Sequence, residues 1–370
     1  MPLRLFADKN GLFALPSLIV FVLFLFTACD NGGNRPEKTG PLVGLFLFNL
    51  KDPYINAVSE ALRQRLAGVV ELDVQDAAND QIRQRDQVDA FLLRHPGLLL
   101  VNAVDPKDAG FFVGRAKKAG IPIIFFNREP DLEVLRDYTK ACFVGTNAAD
   151  AGRMQGDLIA DIWHRHPEYD RNHDGKCQYI LFQGDPDNPE ALARSEYSVR
   201  QAKERGVDMR QIGANLVCNW DQARAERAMA AVWAVSGQEI EMIISNNDAM
   251  AIGAIAVLNQ HGFNLGRKGG PFIPVVGVDA TEDAVKAIAE GRMSATVKQD
   301  SVAMAAAIAA LAENALAGKD FLAGTPYACA QDGISVRIPY SPFGQKESQA
   351  RARSAEQPAQ RPAKQPAERP

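Results

Sequence analysis

Short apolar runs alternate along most of this chain with longer stretches in which apolar residues recur every three or four positions. The short runs predict strands at 43–48, 69–74, 97–102 and 121–126, with helices at 54–66, 80–93 and 106–118 between them. The alternation resumes with strands expected at 178–182, 211–217, 241–245, 274–278 and 294–297. Helices are expected at 147–164, 190–205, 222–235, 247–261, 281–290 and 300–317. Runs that are apolar at every position, set between helices, indicate parallel strands buried on both faces. The expected fold class is therefore α/β: two doubly wound parallel-sheet domains in series, with right-handed crossovers. No residue-level repeat relates the halves.

The two ends do not follow this pattern. Arg4 and Lys9 precede an almost wholly apolar stretch from 11 to 28, and Cys29 follows it. A positive start, an apolar stretch and small residues before a cut site read as an export signal, residues 1–28. Phe26-Thr27-Ala28-Cys29 has the form of a lipobox, with Phe where Leu is usual, so Cys29 is the expected lipidation site. A retained transmembrane anchor is the alternative, since about 18 apolar residues just span a bilayer. Either reading places the folded part in the periplasm, attached to a membrane. Residues 29–40 are a polar tether, and 345–370, rich in Gln, Arg, Ala, Pro and Glu, are expected to be a disordered tail.

The length, 370 residues, suits two domains. The formal net charge of −4 is small and of the wrong sign for a nucleic-acid binder. Five His, none in a metal-pair spacing, exclude a His-rich metal carrier. Cys142, Cys177, Cys218 and Cys329 form no CxxC and are expected to be buried free thiols.

Ligands of doubly wound sheets lie beyond the carboxyl ends of the strands. The polar residues there are 49–54, 102–105, 127–129, 185–194, 219–221, 246–248, Asp279 and Gln299. They are rich in Asn, Asp, Trp and Arg and include no phosphate-cradling Gly loop. Asp52, Asp279 and Asn247 each precede a predicted helix, so N-capping is an alternative role for each. Arg194 could lie on a solvated helix face and Trp220 in a core.

Residues 170–178 hold oxygen side chains at positions 1, 3, 5 and 9 (Asp170, Asn172, Asp174, Gln178), and Gly175 stands at position 6. This is the spacing of the first nine positions of an EF-hand loop, with the Lys176 carbonyl at position 7. Position 12 is Leu181, so a carboxylate must come from elsewhere. Glu241, opening a neighbouring strand, is the natural source. The expected cofactor is a structural Ca²⁺; the alternative is a polar surface turn.

Several segments resemble the periplasmic glucose/galactose-binding protein family, in unbroken order over about 41–345. They are Asp52-Pro53-Tyr54, 102–106, 125–130, Val144-Gly145-Thr146, 155–159, 246–250 and Gly277-Val278-Asp279, with the 170–178 loop in the matching place. The resemblance implies two domains joined by three hinge strands (a type I periplasmic binding protein), closing on sugar as a clamp. It divides the chain into 41–126 plus 299–337 and 127–298 plus 338–344, with the first crossing in the segment after Phe126. It implies that Tyr54 and Trp220 stack on the sugar ring, while Asp52, Asn102, Asn188, Glu190, Arg194, Asn247, Asp279 and Gln299 take its hydroxyls. The implied ligand is D-glucose or D-galactose, and the implied partners are an ABC permease and a chemoreceptor. Tyr54, Asn188, Glu190 and Gln299 stand where the family has Phe, His, Asp and Asn. The longer Glu190 shifts a carboxylate by about 1.5 Å, which bears on epimer preference.

Three other readings compete. A glycosidase would need two carboxylates at a set separation, such as Glu190 and Asp279. A repressor of the same architecture would carry an N-terminal helix-turn-helix, where this chain has the export segment. A binder of ribose, xylose or a signalling furanose would stay in the same class; the Trp220 and Asp52 matches favour a hexose.

Overall fold

The computed structural model describes residues 40–344 and Glu347. The expected export segment, Cys29, and nearly all of the expected tether and tail lie outside the described residues. Among the described residues no helix is long and apolar enough to cross a membrane.

The first sheet is built from β1 (Leu42–Leu47), β2 (Glu71–Asp76), β3 (Leu98–Val101), β4 (Ile123–Phe126) and β5 (Ala141–Gly145). Between them run α1 (Pro53–Leu66), α2 (Gln81–Leu92), α3 (Ala109–Ala119) and α4 (Leu132–Arg136). The second region carries α5 (Ala148–Arg165), β6 (Cys177–Gln183), α6 (Pro189–Glu204), β7 (Met209–Gln211), β8 (Leu216–Val217) and α7 (Gln222–Ser236). It continues through β9 (Met242–Ser245), α8 (Asp248–Gln260), β10 (Val275–Asp279), α9 (Glu282–Ala289) and β11 (Ala295–Gln299). Then come α10 (Ser301–Leu316), β12 (Ser335–Arg337) and β13 (Tyr340–Gly344).

The strand order is β2-β1-β3-β4-β5-β12 in the first sheet and β13-β11-β10-β9-β6-β7 in the second, where β8 also pairs with β6. Every pairing is parallel except β11 with β13. Strand alternation sends Val43, Leu45 and Leu47 into the core under α1 and α10, while Phe46 joins Leu99, Val101 and Phe125 on the opposite face. In the second sheet Ile180, Phe182 and Ile243 pack toward α7 and α8, and Tyr179, Leu181 and Ile244 toward α5 and α6. Burying each such side chain contributes roughly 1.5–3 kcal/mol, which is why both faces of each sheet are covered.

The backbone passes between the sheets after β5, after β11 and after β12. The first of these differs from expectation. Residues 141–145 pair with β4 and so extend the first sheet, carrying 127–145 with it. The segment after Phe126 therefore holds no crossing; that lies at Thr146 and Asn147. The reason is non-local: the run Ala-Cys-Phe-Val-Gly is placed by its pairing with β4 on one side and with β12, nearly 200 residues later, on the other. Other departures are smaller. The strand expected at 69–74 lies two residues later, and 211–217 is broken into β7 and β8. Cys142, Cys177 and Cys218 are buried free thiols, but Cys329 is an exposed one.

Candidate functional site: a cavity between the strand ends of the two sheets

The carboxyl ends of the two sheets converge on a cavity. It is lined by Phe48, Asp52, Tyr54 and Ile55 beyond β1, Asn127 and Arg128 beyond β4, and Asn188, Glu190 and Arg194 beyond β6. Trp220, Asn247, Asp279 and Gln299 complete the wall from the ends of β8 to β11. Nine of the ten residues expected to bind sugar are thus brought together. Asn102 is the exception. It is fully buried behind the wall, where Nδ2 donates to the Phe126 carbonyl (3.1 Å) and to Asn127 Oδ1 (3.2 Å). It holds Asn127 in place rather than facing the cavity.

Capping and cavity lining turn out to be the same job for some of these residues. Asp52 caps α1 with Oδ1, which accepts from Tyr54 N (2.9 Å) and Ile55 N (3.0 Å), leaving Oδ2 for the cavity. Asn188 caps α6 by accepting from Glu190 N (2.8 Å). Asn247 caps α8 by accepting from Met250 N (3.0 Å), and its Nδ2 donates to the Trp220 carbonyl (3.3 Å). Asp279 is not a cap: Thr281 caps α9. Arg194 is no solvated side chain either, since only 2% of it is exposed.

Arg194 is the hub. Its Nη1 donates to the Asn246 carbonyl (2.9 Å) and lies 3.8 Å from Asp279 Oδ1. Its Nη2 donates to Gln299 Oε1 and Tyr340 OH, both at 2.9 Å, and more weakly to Glu190 Oε2 (3.4 Å). Burial opposes its charge, but Tyr340, Glu190 and Asp279 outweigh that and hold it protonated. The carboxylates are less well served. Burial raises Asp52, Glu190 and Asp279 above the usual carboxylate range, with Arg194 opposing the shift in each. Asp279 is pushed furthest because Asp248, Asp52 and Glu190 add their repulsion to its burial.

Arg128, flagged only as a polar residue after a strand, reaches from the first sheet to the second. It donates to the Val104 carbonyl (2.5 Å) and to Asp185 Oδ2 (2.6 Å), and it stacks over Phe48 at 4.7 Å. Burial lowers its pKa, while Asp185 supports its charge. Arg128 Nε, Arg194 Nε and Gln299 Nε2 are buried donors without a partner. Phe48 gave no signal, being the apolar end of an apolar run.

Backbone strain gathers at the same wall. Asn127 (φ +61°), Asn219 (+52°), Trp220 (+67°), Asp279 (+122°) and Ala280 (+56°) adopt conformations that L-residues avoid. Such strain persists where surrounding structure enforces it, commonly at ligand clamps. Gly184 shows the enforcement: a Cβ there would lie 2.3 Å from the Trp220 ring, so only glycine lets the indole lie this close to the backbone.

The loop at 170–178 closes on itself. Asp170 accepts from Asp174 N (3.2 Å) and Gly175 N (3.0 Å), and Asn172 accepts from Asp174 N (2.9 Å). Gln178 Nε2 donates to Asp174 Oδ2 (2.8 Å), while Gln178 Oε1 is buried without a partner. Glu241 is drawn against the loop, accepting from Arg171 N (2.7 Å) and Gln178 N (3.2 Å). The donor set is all oxygen, suited to a hard cation. Among the described residues, however, no three acidic, His or Cys side chains gather as a metal cluster.

A family model described as a periplasmic binding protein domain matches residues 43–320, from β1 to beyond α10. The chain is similar to the D-galactose/methyl-galactoside binding periplasmic protein MglB of Haemophilus influenzae, 35% identical over 302 residues, which are 80% of this chain and 88% of that protein. It is similar to a putative rhizopine-binding protein of Rhizobium meliloti, 30% identical over 63% of this chain and 70% of that one. Among solved structures it is similar to an ABC transporter solute binding protein from Bacillus halodurans C-125 with bound myo-inositol: TM-score 0.68, 25% identity, 85% of this chain and 98% of that chain. Two largely parallel sheets crossed three times by the backbone, a polar cavity at their facing strand ends and a match over most of the chain lead to one conclusion: this protein belongs to the periplasmic binding protein family.

Proposed function

We propose that this chain is a periplasmic sugar-binding component of an ABC transporter, and that its ligand is a hexose, D-galactose or D-glucose. One observation carries the reading. Half-buried Asp52 and buried Glu190 and Asp279 surround the cavity, with Arg194, Gln299 and two aromatic rings, Tyr54 and Trp220, completing it. An anion would be repelled by that wall. A neutral polyol suits it, because each hydroxyl can donate to a carboxylate and accept from a guanidinium or amide. The rings suit the apolar face of a pyranose. The similarity to a D-galactose/methyl-galactoside binding protein supports a hexose in particular. The activity is capture and release, with no chemical turnover. Calorimetric titration with D-galactose, D-glucose, D-ribose and myo-inositol tests the reading. Saturable binding of a hexose is expected; binding of ribose or myo-inositol alone overturns it.

The EF-hand-like spacing and the unpartnered Gln178 Oε1 support a structural Ca²⁺ held by Asp170, Asn172, Asp174, the Lys176 carbonyl, Gln178 and Glu241. It would pin the connection from α5 to β6. Elemental analysis of the purified protein should find about one calcium per chain, and none if the loop is a plain turn. Membrane attachment through a lipidated Cys29 is read from the sequence ahead of the fold. Incorporation of labelled fatty acid, lost in Cys29→Ser, tests it.

A further inference from the structure

Each of the three backbone crossings carries one buried polar side chain: Thr146 after β5, Gln299 ending β11 and Tyr340 opening β13. All three meet at the α6 pair Glu190 and Arg194. Arg194 Nη2 donates to Gln299 Oε1 and to the Tyr340 hydroxyl, 2.9 Å each. The Tyr340 hydroxyl lies 2.8 Å from Thr146 Oγ1, which donates to Glu190 Oε1 at 3.1 Å. Counting hydrogens fixes the direction. Thr146 spends its only hydroxyl hydrogen on Glu190, so Tyr340 must supply the bond between the two hydroxyls. The order is Arg194 to Tyr340 to Thr146 to Glu190, and Glu190 Oε2 closes the ring on Arg194. Every hydroxyl in it accepts once and donates once, so removing one oxygen leaves each of its buried neighbours one bond short. Thr146 is in turn fixed to the first sheet's side, since Arg337 of β12 donates to its carbonyl at 2.8 Å.

We propose that Tyr340 is a positioning residue that couples sugar binding to closure of the two lobes. Its hydroxyl joins the first and third crossings and sets the two groups, Glu190 and Arg194, that face the cavity. A rotation that separates Thr146 from Tyr340 opens the ring and releases Glu190 from its binding position. Occupancy of the site then favours the hinge geometry in which the ring is intact. The inference rests on the hexose reading of the cavity.

The test uses the soluble chain without its export segment and D-galactose and D-glucose as probes. Tyr340→Phe removes one oxygen and keeps the ring's packing. Affinity for the bound hexose should fall on the order of tenfold. The sugar-induced decrease in radius of gyration, read by small-angle scattering, should shrink at saturation. Thr146→Val should do the same and Thr146→Ser should restore wild-type behaviour, and these keep the test alive where Tyr340→Phe fails to fold. Tyr340→Phe with Thr146→Val should lose little more than either alone, because one ring is broken once. Wild-type affinity and closure in Tyr340→Phe overturn the inference, as do losses that simply add in the double variant. A wild-type protein that binds neither hexose overturns the hexose reading itself, before any variant is compared.

Discussion

The ion pair between Arg128 and Asp185 joins a loop of the first sheet to a loop of the second, so removing it should weaken ligand capture without weakening either lobe. The chosen perturbation is Asp185→Asn, which keeps an acceptor beside Arg128 and removes only the charge. The pair is 2.6 Å long, with the Arg128 side chain 3% exposed and that of Asp185 32% exposed. A fully buried pair that loses one partner costs about 3–5 kcal/mol. A fully exposed pair contributes about 0–1 kcal/mol. This one is dry at one end and partly wet at the other, and Arg128 keeps its bond to the Val104 carbonyl. About 1–2 kcal/mol is left, a Kd raised roughly 5- to 30-fold if capture requires the lobes to meet. Lys107 and Asp187 supply an internal control. They bridge the loop after β3 to the same loop of the second sheet at 3.2 Å, but their side chains are 68% and 79% exposed. Lys107→Ala should change Kd by less than about twofold. Calorimetric titration with D-galactose reads both variants, and thermal melting of the unliganded protein reads lobe stability. The reasoning fails if Asp185→Asn binds within about twofold of wild type, or if its lost affinity is matched by an equal loss of unliganded stability.

Gly184→Ala should weaken sugar binding on the order of tenfold while touching no polar ligand, because its Cβ would push the Trp220 indole from the wall; titration with intrinsic Trp fluorescence checks it. Gly156→Ala should destabilise the second lobe by about 1–3 kcal/mol, since its Cβ would lie 2.6 Å from the Ser198 carbonyl oxygen and 2.5 Å from Gln201 Cβ, and α5 and α6 would have to separate; thermal melting reads it. Asp248 is fully buried, accepts from Thr296 Oγ1 (2.7 Å) and Thr281 N (2.9 Å), and has its pKa raised from 3.8 chiefly by burial. The folded state therefore binds more protons than the unfolded chain from pH 3.8 up to the raised value. Its contribution to stability falls as pH rises through that interval and is level above it. Asp248→Asn should flatten this slope in melting curves taken across the weakly acidic range, since the amide can still accept from Thr281 and donate to Thr296.

How much of this was legible in the sequence depends on how local the cause is. Helix starts were readable because their caps are Asp and Asn immediately before the first turn: Asp52, Asp80, Asn188, Asn247 and Asp300 all accept from their own helix. Central strands were readable because two covered faces demand unbroken apolar runs such as Leu98–Val101 and Met242–Ser245. β5 was not, although all five of its residues are buried. Its membership of the first sheet is decided by pairing with β4 and β12, one of them nearly 200 residues away in the chain. That single strand moved the first crossing from the end of β4 to Thr146.

The site divides along the same line, and the division is physical. Strand ends mark where ligand-facing side chains can be, so the wall from Asp52 to Gln299 could be found one segment at a time. Whether a given polar residue faces the cavity or the interior depends on the backbone conformation it takes where the strand stops. Asn102 and Asn127 each follow their strand directly, yet Asn102 turns inward to brace Asn127, while Asn127, in a left-handed conformation, lies on the wall. No spacing rule separates the two. Tyr340 is further out of reach, because its hydroxyl has meaning only against Arg194, 146 residues earlier, and Thr146, 194 residues earlier. A pocket at the meeting of three crossings is bound to be like this: its walls are local, and the bonds that tie those walls to the hinge are not. The residues that line the cavity can therefore be read from short motifs, whereas the bonds that tie them to the crossings become visible only once the crossings are placed.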